Sequence, residues 1–389
     1  MKKNKFFAVA AVGALALAGL AGAIPASAYD VASTTWDTAG LKQVVAETGA
    51  YSWSVDGLGT GDGSGNIQVN KPATATSVYK AYFMAAQAWD PTAITVGSAS
   101  PVLLNGSAVT FDLASLDARG FPVGDPDYFG FNNYFGDVTS LVSSTLNAAS
   151  TGNTDIAVDE GGLEIEGTAL LVIWNDSAVD VSTVIIAFGN SQSAGDNFSL
   201  AFPALTSPQL EDLQFSVGIS YSYQDSTESP GDGTQASSLT VNGLPLADTA
   251  GGFDDCFVTG QDSDPSLHFG CSDGGLFTVG GVGDSTNNPT LPTADPIGEN
   301  PDDELYSLSP FVQVGSSEIA VQTRNASVDD NVFFAAFNLK HVVATMSLND
   351  SSLPDTGISS STALTVGLIA AGLGLAGAAS IAIARRKRA

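Results

Sequence analysis

Tyr51-Ser52-Trp53-Ser54-Val55 alternates large apolar residues with small polar ones. In a strand, successive side chains point to opposite faces, so Tyr51, Trp53 and Val55 share one face and the two serines the other. Parts of residues 78–84, 108–111, 215–223 and 318–323 repeat the alternation. Residues 169–174, 184–188 and 332–339 are instead continuous apolar runs, the pattern of strands buried on both faces. Turn-rich clusters at 59–66, 229–234 and 280–288 separate the runs. Helical patterns are scarce: residues 138–149 predict one helix, and 208–213 predict a turn.

Many short strands with Gly- and Asp-rich connections predict an all-β fold, a large jelly-roll-like β-sandwich over residues 29–347. No tandem repeat is visible. Residues 285–303, with Pro289, Pro292, Pro296 and Pro301, are the least regular stretch. They read as a long surface loop of one domain, with a boundary between two domains as the alternative.

Both termini read differently. Lys2, Lys3 and Lys5 precede an apolar run to Ile24, and Ala26-Ser27-Ala28 supplies small residues at the cleavage positions. Residues 1–28 therefore read as a secretory signal peptide cut between Ala28 and Tyr29. At the other end stand Leu353-Pro354-Asp355-Thr356-Gly357, an uncharged run over residues 363–384, and a basic tail at 385–388. The 22 residues of that run reach about 33 Å as a helix, against a hydrocarbon core of about 30 Å. Cations at its exit favour the cytoplasmic side.

This order of parts over residues 353–389 resembles the cell-wall sorting signal of Gram-positive surface proteins. The resemblance implies that a membrane-bound sortase cuts between Thr356 and Gly357. Its cysteine takes the threonine carbonyl and passes it to an amine of the peptidoglycan precursor. Membrane insertion through the C-terminal helix would then be transient, and residues 348–352 would form a short spacer. The other reading of these residues is a plain single-span protein. Tyr51 to Gly59, Lys80 to Met84 and Asp329 to Ala335 resemble, more loosely, a group of large secreted β-domains on bacterial surface proteins. That resemblance implies one domain and no particular activity.

Between the two processing points, six basic residues stand against 41 acidic ones, a formal charge of −35. Six scattered cations build no basic patch, so nucleic acid is excluded as a partner, and anionic lipid with it. Apolar residues and all four Trp argue for a packed core over acidic disorder. Cys256 and Cys271, exported together, predict one disulfide closing a loop worth on the order of 3 kcal/mol.

Candidate sites follow from residue chemistry. Asp62, Ser64 and Asn66 offer oxygens at alternate positions, and Asp254, Asp255, Asp262, Asp264 and Asp273 crowd the two cysteines. Either set is a candidate calcium site, the one cofactor considered, with turn formation as the alternative. Glu164 and Glu166, two apart on an expected strand, would share a face as a carboxyl pair or as solvated acids. A catalytic triad would need His268 or His341, and no G-x-S-x-G is present, so the chain reads as a non-enzyme. Lys80 and Lys340, with Asn325 and Asn338, are candidates for a Lys–Asn isopeptide bond, and Lys80 reads otherwise as an edge-strand lysine. Residues 127–135 interleave aromatics with Asn and Asp, either to line a glycan site or with Phe129, Phe131 and Phe135 in the core. The expected role is an adhesin meeting an extracellular glycan or matrix protein. The alternatives are a structural wall or surface-layer component and a wall-bound glycan hydrolase.

Overall fold

Tyr51–Leu58 is a strand, as its alternation predicts. The computed structural model describes residues 33–59, 63–88, 94–116, 130–192, 194–206, 212–220, 237–250, 277–284, 304–325 and 331–348. Among them, strands dominate and a single α-helix occurs. The fold is all-β.

The strands form four sheets. The first inner sheet runs β1 (Thr35–Trp36), β8 (Leu113–Ser115), β9 (Phe131–Asp137), β5 (Ala75–Ala88), β11 (Ile165–Asp176), β3 (Tyr51–Leu58). The first outer sheet runs β4 (Ser64–Lys71), β10 (Gly152–Asp159), β6 (Ala99–Leu104), β7 (Ser107–Thr110). The second inner sheet runs β17 (Phe277–Val279), β14 (Leu213–Ser220), β20 (Asn331–Lys340), β12 (Ser182–Phe188), β2 (Lys42–Gly49), with β18 (Leu305–Ser307) also paired to β14. The second outer sheet runs β16 (Leu244–Ala250), β15 (Ser237–Val241), β19 (Glu318–Asn325), β13 (Asn197–Ala201), β21 (Thr345–Leu348).

The sheets stack four deep because the inner strands are apolar on both faces. In β11, Leu170, Val172 and Trp174 enter the core shared with the first outer sheet. Ala169, Leu171 and Ile173 enter a core between the two inner sheets. In β12, Val184, Ile186 and Phe188 face that middle core, while Ile185 and Ala187 face the second outer sheet. The continuous runs in the sequence are these doubly buried strands. A stack of two sandwiches, rather than one pair of sheets, is the architecture that buries both of their faces.

The two halves also share one topology. The order β9-β5-β11-β3 recurs as β18-β14-β20-β12, and β4-β10-β6-β7 recurs as β13-β19-β15-β16. Each counterpart lies nine strands later among the described strands. The hairpins β6–β7 and β15–β16 both turn on Asn-Gly at positive φ: 50° and 73° for Asn105 and Gly106, 51° and 75° for Asn242 and Gly243. Asn105 Oδ1 accepts the Ala157 N–H at 3.1 Å, and Asn242 Oδ1 accepts that of Ala320 at 2.9 Å. Ala157 lies in Asp155-Ile156-Ala157-Val158 and Ala320 in Glu318-Ile319-Ala320-Val321. The absence of a visible tandem repeat is corrected in this sense: the repeat is in strand order, and little of it survives in residue identity.

The helix α1 spans Thr139–Ala148, within the predicted 138–149, and buries Val142 and Leu146. Asp137 Oδ1 accepts the Thr139 N–H at 2.9 Å, placing a carboxylate at the positive end of the helix. At the other end, the buried Lys71 ammonium donates to the carbonyls of Leu146, Asn147 and Ala149 at 3.3, 3.0 and 2.9 Å. One lysine thus satisfies three of the carbonyls a helix end leaves open.

A buried amide cluster joins the halves. Asn133 Nδ2 of β9 donates to Gly189 O and Asn190 Oδ1 at 2.9 and 2.6 Å. Asn331 Nδ2 of β20 donates to Asn133 Oδ1 at 3.0 Å and to Ser220 Oγ at 2.8 Å.

Candidate functional site

One concavity among the described residues follows from the stacking. β3 is the edge strand of its sheet, and β4 leaves it to join the outer sheet. Beside this edge lies a groove of about 580 Å³, reaching β14 and β20 of the second half. Trp53, Asn70, Asn153, Asp176, Gln214 and Lys340 line it.

Trp53 packs partly against the middle core and gives the rest of its ring to the groove. Its Nε1–H donates to Gln214 Oε1 at 2.9 Å, fixing the ring across the boundary between the halves. Asn338 Nδ2 donates to the same oxygen at 3.4 Å. On the outer-sheet side, Asn70 Nδ2 donates to Asn153 Oδ1 at 2.7 Å. The Asn70 backbone N–H donates to Ser54 Oγ at 2.9 Å, tying β4 to β3.

The charges at the groove are matched to one another. Lys340 Nζ stands 3.2 Å from Asp212 Oδ2. Burial by itself would raise the Asp176 pKa. The nearby Thr74 hydroxyl, the Ala178 N–H that donates to Oδ1 at 2.9 Å, the Ser52 hydroxyl close by and the Lys340 charge outweigh it and hold the carboxyl below its ordinary range. Next to Lys340, His341 Nδ1 lies 2.7 Å from Asp180 Oδ1.

The wall formed by residues 280–284 is clamped to β3. A Cβ on Gly281 would stand 2.5 Å from Val55 O and 2.6 Å from Asp56 Cα, so glycine permits this approach. Asp56 accepts the Gln68 N–H at 2.6 Å, and the Gly57 and Val282 N–H groups as well. Burial dominates over these bonds and pushes the Asp56 carboxyl up to about 7.

Of the residues singled out from sequence, Lys340 and His341 line the groove, and the others fall elsewhere or outside the described residues. Residues 353–357, Ala28 and Tyr29, Cys256 and Cys271, His268, Asp62, Asp254, Asp255, Asp262, Asp264 and Asp273 lie outside the described residues. So does the apolar run 363–384, and no helix among the described residues is long and apolar enough to cross a membrane. Ser64 and Asn66 are exposed on β4, paired with Asp159 and Ala157. Among the described residues no three His, Cys, Asp or Glu side chains group to hold a metal.

Glu164 and Glu166 do not share a face, which corrects the paired-carboxyl expectation. Glu164 is exposed before β11, whereas Glu166 is buried at a register shift between Ile165 and Gly167. The bulge breaks the alternation on which the pairing relied.

Lys80 lies in the stretch of β5 that β11 pairs and that β9, whose pairing begins at Tyr82, does not reach; its Nζ meets Asp137 Oδ2 at 2.7 Å. Asn338 bonds Gln214, Lys340 pairs with Asp212, and Asn325 pairs in register with Ser237. Phe131, Tyr134 and Phe135 are buried, as are Asn132 and Asn133, so the described part of the aromatic segment is core.

The groove itself was not anticipated. Its one local signal was Trp53, a large aromatic in an alternating strand that proves to be the sheet edge.

Residues 349–389 match the family model described as the LPXTG cell wall anchor motif. No curated protein and no solved structure matches the chain.

Proposed function

We propose that this chain, a secreted surface protein of the sortase-anchored Gram-positive kind held on peptidoglycan by its LPXTG signal, is an adhesin. It contacts an extracellular ligand through the groove at Trp53. The observation that carries this reading is the groove: an indole ring, three amides and matched charges converge on it from both halves of the body. Few-sided clefts of about 300–1,000 Å³ with convergent polar groups are the usual ligand sites of proteins. Aromatic anchors braced by a hydrogen bond are what contact surfaces use for affinity.

The reading is contact without turnover. A glycan hydrolase needs one carboxyl held protonated to serve as acid. Asp176, the buried carboxyl lining the groove, is shifted the opposite way, and Asp56, raised to about 7 behind the 280–284 wall, is not among the lining residues. Among the described lining residues His341 has no second histidine beside it.

The short path from body to anchor fits display close to the wall. β21 ends at Leu348, five residues before Leu353. Strand pairing of β21 with β13 hands the spacer directly to the rigid body.

Cells displaying the chain, compared with the same cells lacking it, test the proposal on arrays of glycans and matrix proteins. Saturable binding that requires the chain supports it. Equal binding by both cell types across the arrays would move the assignment to a structural wall component.

A further inference from the structure

We infer that the groove takes an uncharged saccharide; the inference rests on the adhesin reading and names its ligand class. Three features of the lining lead there.

The first is the wall. A sugar ring has an apolar C–H face that stacks on an indole and a rim of hydroxyls that both donate and accept hydrogen bonds. Trp53 supplies the flat surface, and its N–H is already committed to Gln214, so the ring is held rather than free to turn. The second is the rim. Asn70, Asn153 and Gln214 carry both donors and acceptors, the set that matches hydroxyls. Their amides bond one another at 2.7 Å or hold Trp53 at 2.9 Å, so they are positioned before a ligand arrives.

The third is charge. Lys340 is matched by Asp212, and Asp176 by the hydroxyls, N–H and lysine around it. The described lining therefore offers no uncompensated charge for an ionic ligand to meet. The body around it carries six basic residues against 41 acidic ones, a field that repels anionic partners such as sialylated or sulfated glycans. A neutral ligand escapes both penalties.

Neutral saccharides come from two sources here, foreign cell surfaces and the glycan strands of the wall itself. The chemistry is shared and the experiment separates them. Cells displaying the full chain are titrated with fluorescent neutral oligosaccharides of two kinds, hexose oligomers and N-acetylhexosamine oligomers, and with sialylated and sulfated counterparts. The expected result is saturable binding of at least one neutral series, with the anionic counterparts weaker by about tenfold or more. Trp53→Leu should reduce binding by about tenfold or more, as hot-spot aromatics do. Because Trp53 also touches the core, Asn153→Ala, an exposed rim change, serves as the second variant and should weaken binding by a smaller factor without lowering the melting temperature.

Binding of the N-acetylhexosamine series alone would identify wall glycan as the source, and binding of hexose oligomers a foreign surface. Binding of a matrix protein that both variants weaken, with no saccharide bound, would overturn the saccharide assignment while leaving the adhesin reading standing. Saccharide binding indifferent to both variants would remove it from this groove. Absence of any chain-dependent binding would overturn both readings together.

Discussion

Asp56→Asn should flatten the pH dependence of stability. Folded Asp56 holds its proton up to about pH 7, because burial against the 280–284 wall outweighs three backbone N–H donors. In the unfolded chain the same group ionises near its ordinary value of 3.8. Between these values the native state binds more protons than the unfolded one, so stability falls as pH rises across the window. Below about pH 4 both states are protonated and the full contribution is present. Above about pH 7 both are ionised and the cost of the buried carboxylate is complete. Each pKa unit is worth about 1.4 kcal/mol, which puts the loss on the order of 2–4 kcal/mol. Asparagine mimics the protonated acid: it keeps a carbonyl for the Gln68 N–H and cannot ionise. Urea unfolding of both proteins at pH 4.5, 6 and 8 reads the effect. The variant should match the parent at pH 4.5 and exceed it by a few kcal/mol at pH 8. A difference that stays constant from pH 4.5 to 8 would refute the reasoning. Asp196, pushed up to about 6 by burial against bonds from Gln192 and Leu41, adds a smaller slope of the same sign to both proteins.

Other expectations follow from single contacts. Lys71→Met removes the ammonium that closes α1 and stands 5.8 Å from the Trp174 ring centroid. The carbonyls left open should cost about 2 kcal/mol, read as a melting temperature lower by several degrees. Asn105→Ala and Asn242→Ala should each cost about 1–2 kcal/mol in denaturant titrations, since both lose a left-handed turn residue and its bond to the facing alanine. A large effect at one turn and none at the other would argue against the equivalence of the two halves. Gly281→Ala should destabilise by about 1–3 kcal/mol, because its Cβ would stand 2.5 and 2.6 Å from two backbone atoms of β3; an unchanged melting temperature would contradict the clamp on β3.

Much of the fold was legible because burial on two faces leaves a trace in the sequence. Residues 169–174, 184–188 and 332–339 announced doubly buried strands, and they are β11, β12 and β20. The helix was legible at 138–149 for the converse reason, since its apolar residues lack period two. The duplication was hidden because strand pairing demands only the right period and a workable turn. Two Asn-Gly hairpins and the Ile-Ala-Val triplets at 156–158 and 319–321 are its clearest traces. The groove was hidden more deeply. Trp53 and Gln214 are 161 residues apart, and only the packing of one half on the other makes them neighbours. Glu166 misled because a bulge carries no signature in a two-residue spacing. The wall-anchoring signal was the opposite case: its recognition by another enzyme is linear, so its meaning lies in the order of residues 353–389.

The account places this body on the outside of the wall through one covalent bond. Digesting purified cell walls with a muramidase and sequencing the C-terminal peptide by mass spectrometry tests that directly. The peptide should end at Thr356 and carry a peptidoglycan fragment on its carboxyl. A wall- or membrane-associated chain that instead retains peptides from residues 358–389 would contradict it.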